Sequence, residues 1–332
     1  NAPKPYQGLD RFEARKKVVE ELDSLGLLEK IEDYENSVGH SERTDAIVEP
    51  YLSKQWFVDM KPMAKMALEV VQNDEVKIYP ERWIKTYNHW LENIKDWCIS
   101  RQLWWGHRIP VWYCNNTDLQ CKEPIVCIEK PNVCPSCGST DVVQDADVLD
   151  TWFSSWIWPF ATLGWPSDTK DLKKFFPTQD LVTGPDIIFF WVARMIMASK
   201  YFCKDIPFSN VYFTGIIRDT DGRKMSKSLG NSPDPLDLFD KYGADAVRVS
   251  ILMIAPQGLD ILFSEDRLEQ GRNFMNKLWN SARFILMNLE GEIPGGLDSI
   301  NDDDLDFTDK WILSKLNRTI DEVNNSYDAY KL

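Results

Sequence analysis

Residues 209–231 have the sequence SNVYFTGIIRDTDGRKMSKSLGN, in which an apolar run passes directly into a polar, basic loop. The apolar part, SNVYFTGII, predicts a strand. The stretch before it, residues 180–202, predicts a buried strand, DLVTGPDII, that ends at Gly184-Pro185-Asp186, followed by the helix FFWVARMIMASKYF. A further helix is predicted over residues 235–253. This strand–helix–strand–helix order predicts an α/β fold with a parallel sheet, which binds its ligands at the C-terminal ends of the strands.

The loop after the second strand carries groups that suit a phosphate ligand. Lys224 and Lys227 supply cations three residues apart, Ser226 and Ser228 add hydroxyl groups, and Gly222 gives the backbone freedom. Such a loop can close over a triphosphate and neutralise the charge that develops on a leaving pyrophosphate. The same residues also fit an ordinary solvated basic loop, and the sequence pattern by itself leaves that alternative open.

The segment Lys224-Met225-Ser226-Lys227-Ser228 resembles the KMSKS signature of class I aminoacyl-tRNA synthetases, with all five positions intact. Residues 95–114, 145–166, 181–195 and 241–250 are similar to the valine-specific members of this family in order and spacing. The isoleucine- and leucine-specific members share the architecture. The resemblance extends over essentially the whole chain and implies the second half of a Rossmann-like catalytic domain, with a small Cys knuckle and C-terminal helices.

The resemblance also implies a reaction and roles for particular residues. ATP and valine form valyl-adenylate, and the valyl group then moves to tRNA(Val). Residues 224–228 are expected to bind the ATP phosphates, with Lys224 and Lys227 as the catalytic cations and Mg²⁺ accompanying the ATP. Gly184 and Asp186 are expected to bind adenosine and the amino-acid ammonium, although an Asp here also fits a helix cap. Thr214 departs from the His that relatives commonly have in this strand.

A pocket for the valine side chain is expected from Trp152, Ile187 and Trp191. Ile187 and Trp191 are four residues apart, so they share a face at helical pitch. Bulky walls of this kind would exclude isoleucine. Without the resemblance, these three residues would be interpreted as core residues.

Five of the seven cysteines lie within residues 114–137, a clustering typical of metal sites. Cys134-Pro-Ser-Cys137 forms one half of a knuckle, and the other half must come from Cys114, Cys121 and Cys127. The resemblance favours Cys114 and Cys121, although their six-residue gap is longer than usual. Four thiolates would form a closed, structural Zn²⁺ site. Reduced cysteines around a degenerate knuckle are the alternative.

The same resemblance divides the chain into parts. Residues 1–54 are expected to be the C-terminal tail of an inserted editing domain, and residues 55–113 return to the catalytic domain. Residues 114–144 are the knuckle insert, residues 145–265 carry the second half of the catalytic domain with the loop, and residues 266–332 begin the helical tRNA-binding region. No His-x-Gly-His pair, the ATP-binding partner motif of this family, occurs, so we expect no adenylation by the isolated chain.

Composition agrees with a water-soluble enzyme of the reducing cytoplasm. The net charge is −14, which argues against nucleic-acid binding unless Lys and Arg gather on one face. The chain contains no apolar run long enough to predict a membrane span, and its first residues lack the apolar segment expected of a signal peptide. We expect a monomer. Two alternatives stay open: an isoleucyl- or leucyl-type synthetase, and a non-catalytic tRNA-binding paralogue.

Overall fold

A computed structural model describes residues 3–41, 44–50, 52–116, 121, 123–289, 291, 295–296 and 300–331. The chain divides into two compact units, residues 1–54 and residues 55–332. The division falls at the expected end of the editing-domain tail, although the assignment of residues 1–54 to such a domain stays a prediction.

The helices and strands occupy the following ranges. The helices are α1 Arg11–Ser24, α2 Lys61–Gln72, α3 Arg82–Glu92, α4 Thr151–Ser155, α5 Trp158–Ala161, α6 Lys170–Phe175, α7 Arg194–Phe202, α8 Pro235–Tyr242, α9 Ala244–Ile254, α10 Leu268–Asn288 and α11 Phe307–Asp328. The strands are β1 Phe57–Val58, β2 Lys77–Tyr79, β3 Trp97–Cys98, β4 Ser100–Arg101, β5 Val111–Cys114, β6 Ile125–Val126, β7 Val142–Gln144, β8 Val148–Leu149, β9 Thr178–Thr183, β10 Phe208–Phe213, β11 Ile217–Arg218 and β12 Ile261–Leu262.

In the first unit, α1 is bounded at both ends by local signals in the sequence. Asp10 caps its start by accepting a hydrogen bond from the Phe12 backbone nitrogen. Gly26, at φ +65°, follows its end, and the Leu27 nitrogen donates to the Leu22 oxygen at 2.9 Å. This pair of features is the usual glycine-dependent helix stop. The helical spacing of apolar residues over positions 8–30 predicts a helix here, and the structure confirms it in a shorter form.

The parallel sheet at the centre of the second unit has the strand order β2-β10-β9. Tyr212 in β10 is in register with Tyr79 on one side and with Val182 on the other. The prediction of a parallel sheet is confirmed, and β2, at three residues, was too short to be recognised from sequence. The prediction that β9 is buried was wrong. In the part of the chain that the structure describes, β9 has one neighbouring strand, and Val182 is 57% exposed.

The main hydrophobic core lies where α2, α3 and α7 pack together with the sheet. α2 contributes one apolar face, and the buried Tyr87 of α3 donates its hydroxyl to the Ala67 carbonyl at 3.0 Å. α7 is buried along most of its length. The aromatic spacing of residues 80–97 predicts one helix that includes Trp97. The structure corrects this, because α3 ends at Glu92 and Trp97 lies in β3, where it packs edge-on against Trp156.

The helix predicted over residues 235–253 is two helices, α8 and α9, which is a correction to the sequence prediction. Gly243 separates them at φ +90°, a backbone conformation that an α-helix cannot contain. Next to this break, α9 packs closely against α10. A Cβ atom at Gly271 would lie 2.3 Å from the Ala246 carbonyl oxygen, so only glycine fits at this crossing.

The two long C-terminal helices, α10 and α11, are confirmed as predicted. α11 begins with a capping box in which Asp306 and Asp309 satisfy each other's backbone nitrogens. Both helices expose apolar side chains, among them Trp279 and Trp311. Within the described residues, no helix combines the length and the apolar character needed to cross a membrane.

Candidate active site

The loop after β11 is closed by two polar side chains, Asp219 and Asn231. The largely buried Asp219 carboxylate accepts hydrogen bonds from the Arg223 backbone nitrogen and from the Asn231 amide, both at 2.8 Å. The Asn231 amide oxygen accepts a bond from the Ser226 backbone nitrogen at 2.9 Å. The Asn231 hydrogen bond is the main reason that the pKa of Asp219 is lowered. Sequence reasoning missed these two loop-closing residues, although Asn231 lies only three residues after the signature segment Lys224–Ser228.

The two lysines of the loop have different surroundings. The Lys224 ammonium lies 3.3 Å from an Asp186 carboxylate oxygen, and both side chains are about half exposed. Lys227 is exposed, and no carboxylate among the described residues pairs with it. Ser226 and Ser228 bring their hydroxyl oxygens within 3.1 Å of each other. Met225 points the other way and packs against the small apolar cluster around Leu238.

Asp186 lies just beyond the C-terminal end of β9, in a single 3₁₀ turn over Pro185–Ile187. A Cβ atom at Gly184 would lie 2.6 Å from an Asp186 carboxylate oxygen, so the glycine leaves room for this side chain. In the described chain, no side-chain cap forms at this turn or at the helical turn after it, so the helix-cap interpretation is not supported. The carboxylate is instead directed to Lys224. The ion pair thus links the end of β9 to the loop that follows β11, and β11 pairs with β12 in a separate two-stranded sheet, so the single strand predicted over residues 209–217 is two strands.

The three residues predicted to form the valine pocket are partly brought together. The Trp191 indole nitrogen donates to the Ser155 carbonyl at 3.1 Å, which ties it to the helix that contains Trp152. Trp152 stacks on Phe190 with ring centroids 5.9 Å apart. Ile187 is half-buried and directly precedes the helical turn that contains Phe190 and Trp191. The pitch argument needs correction, because residues Ile188–Ala193 form a π-helical turn rather than an α-helix.

A cluster of charged side chains lies next to the residues predicted to form the valine pocket. Asp150 accepts a hydrogen bond from the Trp152 backbone nitrogen at 2.7 Å and forms an ion pair with Arg101. Arg194 is buried, and its guanidinium carbon lies 3.5 Å from the centroid of the Trp97 ring. Burial lowers the pKa of Arg194 to about 10, so the side chain stays charged at neutral pH. One local signal could have revealed part of this cluster, namely the Asp-Thr-Trp start of α4, where an Asp is a common helix cap.

The cysteine cluster forms around the antiparallel sheet β6-β5-β7. The sulfur atoms of the four predicted cysteines lie within 4.8 Å of one another. The Cys114 and Cys137 sulfurs are 3.7 Å apart, and those of Cys121 and Cys134 are 3.9 Å apart. Cys127 lies outside the group and donates to the Glu129 carbonyl. The segment between Cys114 and Cys121 falls partly on residues 117–120, which lie outside the described residues.

These distances fit a tetrahedral metal site. Zinc–sulfur bonds of about 2.3 Å at tetrahedral angles place the sulfurs about 3.8 Å apart. A disulfide needs sulfurs about 2.05 Å apart, so neither close pair is one. Backbone hydrogen bonds from Ser136 and Cys137 lower the pKa of Cys134 to about 7, whereas the pKa of Cys121 is raised, chiefly by its hydrogen bond with Cys137. The donor set therefore suits a soft divalent cation.

A parallel sheet with a carboxylate beyond one strand end, paired with a lysine of the loop after β11, is typical of an α/β domain of the nucleotide-binding kind. Residues 8–264 match the family described as tRNA synthetases class I (I, L, M and V), and the chain belongs to that family. The family resemblance noted from the sequence is thereby confirmed.

Individual relatives point in the same direction. The chain is 55% identical over 325 residues to the valine--tRNA ligase of Petrotoga mobilis and 54% identical over 327 residues to that of Thermotoga maritima. Each match covers 98% of this chain and 36% of the relative, so the chain spans about a third of their length. A Mycobacterium tuberculosis methionyl-tRNA synthetase bound by methionyl-adenylate has a similar fold, with a TM-score of 0.61, 21% identity, and coverage of 88% of this chain and 51% of that one.

Proposed function

We propose that this chain supplies the second half of a valine-activating site, and that the protein bearing it joins valine to tRNA(Val) through valyl-adenylate. The observation that carries the proposal is the ion pair between Lys224 and Asp186, because it joins the phosphate loop to the strand end beside Trp152 and Trp191. The similarity to valine--tRNA ligases supports valine over the other amino acids of the family. We further propose a cytoplasmic monomer.

The chemistry assigned to each residue follows from its charge and position. The valine carboxylate attacks the α-phosphorus of ATP in line, and pyrophosphate leaves. Lys227 and Lys224 neutralise the phosphate charge that develops, with Mg²⁺ accompanying the ATP. Asp186 binds the valine ammonium, so that the amino acid replaces Lys224 at this carboxylate and releases the lysine toward the phosphates. Trp152, Ile187 and Trp191 enclose the side chain.

The four clustered cysteines are proposed to hold a structural Zn²⁺. With all four positions filled by sulfur, the ion would have no open position for a substrate, so its role would be to fix the small sheet β6-β5-β7. That sheet is continuous in sequence with β8 and the Asp150 cap of α4. The metal would thus stabilise the segment that leads to the valine pocket, without taking part in the reaction.

A chimera tests the proposal. Residues 1–332 replace the matched segment of the Thermotoga maritima valine--tRNA ligase, and the transfer of radioactive valine to tRNA(Val) is measured. We expect activity, and we expect Lys227→Ala to lower kcat by about 10²–10³-fold, which is typical for the loss of one group that stabilises transition-state charge. Lys173→Ala, a matched exposed lysine paired with Asp168, should leave kcat unchanged. A folded chimera without valine transfer would refute the proposal.

A further inference from the structure

The Arg194 side chain is a buried cation to which the proposed reaction gives no role. It lies at the first residue of α7 and is 5% exposed. A guanidinium carries five N–H donors. Among the described residues, its one side-chain hydrogen bond is a long one, 3.5 Å from the guanidinium to the Phe190 carbonyl oxygen, and its buried Nε has no partner. Most of the hydrogen-bonding capacity of this cation is therefore unused.

Keeping such a charge in the core is unfavourable for stability. Removing a guanidinium from water costs free energy that only good hydrogen bonds and a close counter-ion offset. The charge of Asp150 attracts Arg194, but this carboxylate is already paired with Arg101 and with the Trp152 backbone nitrogen. Apolar residues can often replace buried charges without loss of stability. A charge that is kept in spite of its cost indicates a role in function.

The Arg194 guanidinium lies against a ring that stacks on the predicted valine pocket. Its central carbon, Cζ, is 5.7 Å from the centroid of the Phe190 ring and 5.2 Å from that of Phe189. Phe190 in turn stacks on Trp152, with ring centroids 5.9 Å apart and an angle of 30° between the planes. Arg194 is therefore separated from the Trp152 ring by one side chain.

A second set of contacts joins Arg194 to the helix that contains Trp152. The guanidinium carbon lies 3.5 Å from the centroid of the Trp97 ring, which is a close cation–π contact. Trp97 packs edge-on against Phe153, with ring centroids 5.7 Å apart, and Phe153 directly follows Trp152 in α4. Closely packed side chains transmit a displacement to their neighbours. A change at Arg194 should therefore move Trp152.

We propose that Arg194 is a positioning residue for the valine pocket, which holds the Trp152 ring in place through Phe190 and Trp97. The inference rests on the proposed function and deepens it, because it adds a determinant of amino-acid specificity that does not line the pocket. A binding site needs its walls fixed to within about 0.5 Å, and the residues around the walls provide this. The contacts involved all lie within this chain, which itself buries Arg194.

The first test measures the selectivity of the chimera by ATP–pyrophosphate exchange with valine and with isoleucine. Arg194→Met replaces the guanidinium with an unbranched apolar side chain. We expect the ratio of kcat/KM for valine to that for isoleucine to fall about tenfold, within the roughly hundredfold loss that a misplacement of about 1 Å can cause. The melting temperature should fall by no more than about 3 °C, because Asp150 keeps Arg101 as its partner.

A matched control removes an arginine that lies over a ring elsewhere in the chain. Arg272 is partly exposed, pairs with Glu269, and has its guanidinium carbon 5.7 Å from the centroid of the Tyr242 ring. Arg272→Met should leave the selectivity unchanged. A similar fall of the ratio in both variants would show that Arg194 has no particular connection to the pocket, and would overturn the inference.

Two further variants separate positioning from simple packing. Arg194→Lys keeps a cation near the Trp97 ring and should recover part of the lost selectivity. Phe190→Leu removes one ring through which Arg194 acts, so Arg194→Met should lower the ratio less in this background than in the unaltered chimera. Fully additive losses, a ratio no better with Lys than with Met, or a lower melting temperature with an unchanged ratio would each overturn the inference.

The second test uses the chain itself and requires no catalytic activity. Fluorinated tryptophan is incorporated at all 14 positions, and the fluorine NMR resonance of Trp152 is identified by its loss in Trp152→Phe. We expect this resonance to shift in Arg194→Met and to keep its position in Arg272→Met. A Trp152 resonance that Arg194→Met leaves in place would refute the positioning role.

The two proposals fail in different ways. If the chimera activates valine while Arg194→Met changes neither the selectivity nor the Trp152 resonance, only the role of Arg194 is refuted. If the resonance shifts but a folded chimera activates no valine, Arg194 still positions Trp152 and the proposed function is refuted.

Discussion

Replacing Asp186 with asparagine removes one negative charge from the strand-end site and keeps the size of the side chain. Two effects then compete. The variant loses the ion pair with Lys224, and it loses the carboxylate proposed to bind the valine ammonium. The structure indicates that the first effect is small and the second large.

The ion pair contributes little to stability because it is exposed. At 3.3 Å, Coulomb's law gives about 1.3 kcal/mol at the dielectric constant of water. Exposed pairs measured in other proteins contribute about 0.2–1 kcal/mol. A hydrogen bond to a charged group in a binding site contributes about 1.5–3 kcal/mol, which corresponds to about 10- to 150-fold in affinity. Asp186→Asn should therefore weaken valine binding far more than it weakens folding.

The assay is valine-dependent ATP–pyrophosphate exchange by the chimera, with valine and ATP varied separately. We expect KM for valine to rise about 10- to 150-fold, KM for ATP to change less than about threefold, and the free energy of unfolding to fall by less than about 1 kcal/mol. Asp168→Asn breaks a similar exposed pair with Lys173 and serves as the control, with neither KM changed. An unchanged KM for valine would refute the role given to Asp186.

Three further predictions concern the metal site, the packing and the loop. Cys134→Ser should lower bound zinc from one ion per chain to nearly none by atomic absorption, whereas Cys127→Ser should leave one ion, and equal zinc in both variants would contradict the four-cysteine site. Gly271→Ala should destabilise the second unit by about 1–3 kcal/mol in urea unfolding, because its Cβ would collide with a carbonyl of α9, while Gly39→Ala, whose added Cβ would meet no atom within 4 Å, should change stability by less than about 0.5 kcal/mol. Asp219 has a lowered pKa, so its contribution is complete above its ordinary pKa near 3.8 and is lost as the pH falls through the lower folded value. Hydrogen exchange should therefore show the loop opening only below about pH 4 in the native chain but already at neutral pH in Asp219→Asn.

Much of the fold could be predicted because its signals are local. The helix stop at Gly26 and the apolar periodicity of the longer helices depend on neighbouring residues, and these predictions were confirmed. The predictions were wrong where burial or the end of a helix depends on residues distant in sequence or on backbone geometry. The exposure of β9 depends on how many strands flank it, and the break at Gly243 depends on a backbone conformation that the apolar pattern does not reveal.

The residues of the candidate site also divide into those that could be predicted from the sequence and those that could not. Lys224 and the four cysteines could be selected from the sequence because their segments resemble motifs of the family, whereas their spacing alone left a solvated loop and a choice among Cys114, Cys121 and Cys127 open. The two side chains that close the loop could not be identified from the sequence. Asp219 and Asn231 are twelve residues apart and meet only when the chain folds back. The position of Arg194 over Trp97, next to the predicted pocket, could not be seen from the sequence either, since it joins segments nearly a hundred residues apart.

The most direct test of the central claim is the amino-acid preference of the chimera in ATP–pyrophosphate exchange. With Trp152, Ile187 and Trp191 as the walls, kcat/KM for valine should exceed that for isoleucine by about 10- to 200-fold, the range that one methylene group produces in an apolar pocket. Activation of isoleucine as efficient as that of valine, or the absence of valine-dependent exchange in a folded chimera, would contradict the assignment of these residues to a valine site.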